Sequence, residues 1–222
     1  DPLANADQLK EQIESAKEKA GSDKVILIPC SMGGVQTLAY LSKYGCDDIE
    51  KIIFMSSAHK GLLFVSELFS GNMQLSQKDV FKYISDFVNL KNENVDNIFD
   101  FVMSYFGNAW YLKPVFSFLD KFAKDVSNET VYASLRKVLG SMPGMWAFVC
   151  NEYYDDARAF MTTADTSKAL LDKIDTYHEK VGSVNDKLLK DAADKGVAIC
   201  ICSHYGKGSI PVTPKACVEG DY

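Results

Sequence analysis

Val25-Ile26-Leu27-Ile28-Pro29-Cys30-Ser31-Met32-Gly33-Gly34-Val35-Gln36-Thr37-Leu38-Ala39-Tyr40-Leu41 carries, in order, the pattern of a strand, a tight turn and a helix. Its first four residues form a continuous apolar, largely β-branched run, the pattern of a strand covered on both faces. Its last seven are spaced for a helix. Small residues make an abrupt turn between them. A serine at the apex of a strand–turn–helix reads as a nucleophile elbow, in which a tight, often strained turn projects the hydroxyl. The residues two before and two after such a serine pass close together. Here the residue after is Gly33, backed by Gly34. The residue before is Pro29, where the pattern G-x-S-x-G has glycine. Proline holds φ near about −65° and donates no hydrogen bond, which suits a strand end. Centring the turn on Cys30 instead would put Ile28 and Met32 at the crowded positions, so Ser31 is the better centre. A helix over residues 34–44 would aim its positive end at Ser31, and the Met32 N–H is the expected oxyanion donor. The plainer reading is an ordinary strand–loop–helix with a Ser-Gly-Gly turn.

The flanking sequence extends the pattern. Residues 6–20 read as an amphipathic helix with Leu9, Ile13 and Ala16 on one face and Gly21 as the stop. Residues 51–55 form a second apolar strand, so strand, helix and strand make a right-handed parallel crossover. The ligand site of such a unit lies beyond the strand C-termini, where Ser31 sits. Helices follow over 167–181, with Leu170, Ile174, Tyr177 and Val181 buried, and over 184–193. Gly196 leads into a last strand over 197–202. Three strands leave both sheet edges unpaired, so the chain reads as an excerpt of a larger fold. Residues 61–140 differ: helical spacing, no strand run, and more than half of the aromatic residues. A helical insertion between core strands reads as a cap, its aromatics mostly packing the cap and a few roofing a pocket.

Composition limits the partners. The 222 residues carry a net charge of −6. That disfavours nucleic acid, which calls for a basic stripe. No apolar run is long enough to span a bilayer. Six scattered cysteines decide no redox compartment. Asn128-Glu129-Thr130 is a glycosylation sequon that matters only on a eukaryotic secretory route. No His or Cys pair has ligand spacing with further partners, so neither metal nor other cofactor is expected. Among the three histidines, His178 reads as boundary, and His204, after the last strand, would act as base only in a non-standard order. Asp155-Asp156, after Tyr153-Tyr154, reads as a solvated turn at the cap exit.

Residues 24–61 resemble the α/β-hydrolase lipases, in particular the group similar to lecithin:cholesterol acyltransferase. The resemblance rests on Cys30-Ser31-Met32-Gly33-Gly34, Lys43-Tyr44-Gly45, the strand Ile49-Glu50-Lys51-Ile52-Ile53-Phe54-Met55, and Ser57-Ala58-His59-Lys60-Gly61. It departs at Pro29, Cys30 and Ala58, where that group carries Gly, His and Pro. Weaker echoes cover Gly140-Ser141-Met142-Pro143-Gly144-Met145-Trp146 and Val197-Ala198-Ile199-Cys200-Ile201-Cys202-Ser203-His204-Tyr205-Gly206. The resemblance implies an α/β fold: a partial α/β-hydrolase-like parallel sheet from residues 1–60 and 141–222, with 61–140 as a helical cap or lid. It implies Ser31 as nucleophile, Met32 as oxyanion donor, Gly33 and Gly34 as the structural elbow, and an acid after the late strand, for which Asp221 is the candidate. It gives His59 a local hydrogen-bonding role rather than that of base. No histidine lies beyond Asp221.

The expected function is therefore that of a serine esterase or lipase-like hydrolase, in which Ser31 forms an acyl-enzyme with a small-molecule or lipid ester bearing an apolar acyl group. Transfer to an alcohol would use the same nucleophile, and peripheral contact with a lipid surface would suit such a substrate. The resemblance favours an extracellular setting. The competing expectation, supported by Pro29 and the absent triad partners, is a non-catalytic binding module. A peptidase is the third. Residues 1–222 alone are expected to turn over little, because loss of triad members leaves only residual catalysis.

Overall fold

A computed structural model describes residues 1–72 and 128–203, with side chains omitted at 128–131 and 134. The elements run α1 (Pro2–Ala20), β1 (Val25–Leu27), β2 (Cys30–Ser31), α2 (Gly33–Tyr44), β3 (Ile49–Ser57), α3 (Leu63–Phe69), α4 (Asn128–Val138), α5 (Pro143–Trp146), α6 (Tyr154–Met161), α7 (Lys168–Lys180), α8 (Asn185–Asp194) and β4 (Ala198–Cys202). Short 3-10 turns, Asn151–Tyr153 and Gly182–Val184, precede α6 and α8.

The sheet is open and entirely parallel among the described residues. β3 is its centre. β1 and β2 follow each other along one edge of β3, in register at Leu27 with Ile52 and at Cys30 with Met55. β4 lines the other edge, with Phe54 opposite Ile201. The expected first strand ends at Leu27, and a two-residue strand, β2, resumes the pairing after Ile28-Pro29, the point where proline removes a donor.

Helix α2 occupies the middle of the helical layer and touches β2 and β3, with α1, α7 and α8 packed around it. Its buried Val35, Leu38, Ala39 and Leu41 meet Ile49, Ile52 and Phe54 of β3. Val181, at the end of α7, and Val197, before β4, close the same core. The expected buried face of α7 is present, with Ile174 and Tyr177 buried.

Helix α1 starts earlier than its periodicity indicates. Asp1 caps it by accepting from the Leu3 N–H at 3.1 Å, and Pro2 occupies the first turn, where a missing donor costs nothing. Its buried face runs Pro2, Ala6, Ile13. Ala16 is exposed instead, and Lys17, one turn after Ile13, turns inward to an ion pair with Asp48 at 2.5 Å. Lys10 meets the same carboxylate at 2.6 Å, and the Tyr40 hydroxyl donates to it at 3.0 Å. Asp48 thereby ties α1 and α2 to the turn that enters β3.

Two expectations are corrected. Among the described residues, helices lie against one face of the first strand and not the two expected. Ile26 is 50% exposed, Ile28 59% and Met55 49%, and Cys30, Cys200 and Cys202 are exposed beside them. The helices touching the sheet among the described residues surround α2 on the opposite face. The second correction concerns Tyr153-Tyr154-Asp155-Asp156. This is not a solvated turn but the start of α6, with Tyr154 buried and both carboxylates in the first turn, where the helix dipole favours them. The Tyr154 hydroxyl donates to Asp175 at 2.6 Å, Arg158 binds that carboxylate in a two-pronged pair, and His178 stacks on the Tyr154 ring at 3.7 Å.

Most of the expected cap, including its aromatics between Phe81 and Phe122, lies outside the described residues. Its described ends are helical: α3 and α4. The Phe69 ring of α3 meets the Trp146 ring of α5, just beyond the expected cap, edge to face at 5.1 Å, and α3 packs on α6.

Candidate functional site

Ser31 ends β2 with φ +49°, and Met32 leads directly into α2. A non-glycine residue in the left-handed region costs roughly 1–2 kcal/mol. Only one other described non-glycine residue is held there, Ser56 at φ +43°. The close approach expected of the turn is present. A Cβ placed on Gly33 would stand 3.3 Å from the Cβ of Pro29. Contact at that distance explains how proline is tolerated two residues before Ser31: the space its ring needs is the space glycine leaves. Cys30 has neither positive φ nor the turn apex and lies exposed on the open sheet face.

Gly34 is more tightly enclosed. A Cβ there would fall 1.8 Å from Ser57 Oγ and 3.1 Å from both Cβ and backbone N of His59. The first turn of α2 thus rests on the chain leaving β3. Two backbone bonds lock the strands that carry this contact: Met55 N–H donates to Pro29 O at 2.9 Å, and Ala58 N–H to Ser31 O at 3.0 Å. The chain then passes Gly61, at φ +93°, where a Cβ would stand 2.8 Å from Cys150 N and 2.9 Å from Phe148 O. Leu62 N–H donates to Phe148 O at 2.7 Å. Glycine is required there both by backbone angle and by space, which gives the His59-Lys60-Gly61 sequence its physical meaning.

Ser31 and Met32 are exposed, so the hydroxyl and the start of α2 face solvent. The first N–H groups of a helix lack intrahelical acceptors, and Met32, Gly33 and Gly34 present theirs here. That arrangement can hold the negative charge that develops on a carbonyl oxygen when a hydroxyl such as that of Ser31 adds to the carbonyl carbon.

His59 lies behind the turn rather than across from Ser31. Its ring stacks on Phe54 at 4.6 Å, and its buried Nδ1 has no hydrogen-bond partner. Burial, reinforced by the Lys60 charge, pushes its pKa below the ordinary value, which favours the neutral imidazole. No hydrogen bond joins it to Ser31. The structure therefore brings together Ser31, Met32, Gly33, Gly34 and His59. His178 belongs to the Tyr154–Asp175 cluster, where its Nε2 lies 2.9 Å from Asn151 Oδ1. Asp221 and His204 lie outside the described residues.

Sequence reasoning missed Ser56 and Ser57. Cys30 pairs with Met55 and Ser31 with Ser57, so Ser56 is an extra residue bulging from β3 opposite the turn. The available signal was a Ser-Ser pair ending an apolar strand, which is too common to single out.

What the described residues define is a class: an open parallel α/β sheet with a strained serine turn at the C-terminal ends of its strands. No family model, curated protein or solved structure matches the chain.

Proposed function

We propose that the protein is a serine acyl hydrolase of the α/β-hydrolase kind, acting on an ester with an apolar acyl group. The observation that carries the proposal is Ser31 itself, an exposed serine at φ +49° between a strand and a helix N-terminus, with Pro29 and Gly33 in contact behind it. In this reading Ser31 Oγ attacks the ester carbonyl, a base takes its proton, and the alcohol leaves. The Met32 N–H helps hold the tetrahedral oxyanion, and water or a second alcohol releases the acyl group. The described ends of residues 61–140, α3 and α4, are helical, as the ends of a helical insertion in a sheet domain would be. Exposed Met32, next to Ser31, suits an acyl chain and contact with a lipid surface.

The test is hydrolysis of p-nitrophenyl butyrate by the full-length protein. The proposal expects turnover that Ser31→Ala abolishes while Cys30→Ala retains it. Turnover unchanged in Ser31→Ala refutes it. A non-catalytic binding module is the second reading, favoured by Pro29 at the crowded position of the turn and by the absence of a histidine or carboxylate hydrogen-bonded to Ser31 among the described residues.

A further inference from the structure

We infer that Ser56 is a substrate-binding residue, whose hydroxyl recognises a free hydroxyl on the alcohol portion of the ester, so that the preferred substrates are partial esters of a polyol. This inference rests on the reading of Ser31 as a nucleophile. Ser56 and Ser31 are the two described non-glycine residues at positive φ, and they end neighbouring parallel strands. The bulge that makes Ser56 the extra residue of β3 is a device that re-aims a side chain, and it is concentrated next to active sites. Backbone strain of this kind persists where the surrounding structure imposes it, and it gathers at ligand sites. Glycine would adopt the same angles without strain. Serine adds a hydroxyl, and the residue is exposed at the strand ends where ligands of parallel sheets bind.

The chemistry of the turn selects a neutral ligand. Lys60 is the one cation in residues 55–62, and it pairs with Asp186 at 2.7 Å. His59 is half-buried, and burial disfavours its charged form. The exposed uncharged polar side chain left in residues 55–62 is Ser56, whose hydroxyl both donates and accepts and so matches another hydroxyl. Exposed Met32, next to Ser31, supplies apolar surface.

The experiment compares two butyrate esters with the full-length protein: glycerol monobutyrate, whose alcohol keeps free hydroxyls, and p-nitrophenyl butyrate, whose alcohol has none. Ser56→Gly removes the hydroxyl and relieves the strain, and Ser56→Ala removes the hydroxyl and keeps the Cβ. Both variants are expected to raise KM for glycerol monobutyrate about 3- to 10-fold, the scale of one neutral hydrogen bond. KM for p-nitrophenyl butyrate and kcat for both esters should stay within about twofold. Fluorophosphonate labelling of Ser31 is measured in the same samples. Labelled Ser31 with unchanged KM for glycerol monobutyrate overturns the role of Ser56 alone, leaving the bulge purely structural. An equal rise in KM for both esters also overturns it. Unlabelled wild-type Ser31 overturns the hydrolase reading and this one together.

Discussion

Gly34→Ala tests whether the first turn of α2 is seated on the end of β3. The added methyl would stand 1.8 Å from Ser57 Oγ and 3.1 Å from the His59 backbone nitrogen and Cβ. Ser57 Oγ can rotate away, but the His59 backbone is held between Phe54 and the Ala58–Ser31 bond. Overpacking of this kind costs about 1–3 kcal/mol. Gly34 stands in the first turn of α2, where replacing glycine by alanine returns less than the ~1 kcal/mol of a helix interior. The net expectation is a loss of about 1–2 kcal/mol. Ser57→Ala alone should be neutral or slightly stabilising, because its hydroxyl is buried without a partner. In the double variant the alanine at 34 no longer meets an oxygen, so the pair should be non-additive by about 1 kcal/mol, with less loss than the sum. The His59 contacts remain, so recovery is partial. Urea denaturation followed by circular dichroism measures this, with the slope unchanged and the midpoint shifted. Gly34→Ala as stable as the wild type, or strictly additive effects, would refute the proposed seating.

Three further outcomes follow from the same contacts. Ser31→Gly should raise the melting free energy by about 1 kcal/mol relative to Ser31→Ala, because only glycine relieves φ +49°; equal melting curves would remove the strain argument. Lys10, then Lys17, hold the Asp48 carboxyl well below the usual carboxylate range. A depressed carboxylate contributes stability above its unfolded pKa of about 4, and that contribution fades as pH falls further. Asp48→Asn should therefore cost about 1–2 kcal/mol at pH 7 and progressively less below pH 4 in urea titrations; a pH-independent cost contradicts the ion-pair account. Ile52→Ala should cost about 2–5 kcal/mol because Ile52 is fully buried, while Ile28→Ser, on the open face, should cost under about 1 kcal/mol; comparable losses in denaturant midpoints would show that another layer covers that face.

The parts of the fold visible in sequence are those set by local chemistry. Residues 25–28 and 52–55 are apolar runs too short for helices and lie within or beside β1 and β3, and Gly33 and Gly34 mark the turn between strand and helix. The buried face of α7 follows from helical spacing, and the Ser167 side chain caps it. The contact between Pro29 and Gly33 was legible because elbow geometry fixes which two residues meet. What stayed hidden depends on distant partners. Lys17 turns inward only because Asp48 is there. The open sheet face escapes periodicity, since a continuous apolar strand does not say on which side the helices will lie. Ser56 owes its conformation to a register shift between β2 and β3, which no single strand encodes. The start of α6 was misread because Tyr153-Tyr154 looks equally like a loop until Tyr154 is seen stacked on His178.

The most direct test of the central claim is reaction of the full-length protein with a fluorophosphonate, followed by mass spectrometry of the peptide containing Cys30 and Ser31. The account predicts one covalent adduct on Ser31, absent from Ser31→Ala and retained in Cys30→Ala. An adduct on another residue, or none on a folded sample, would contradict it.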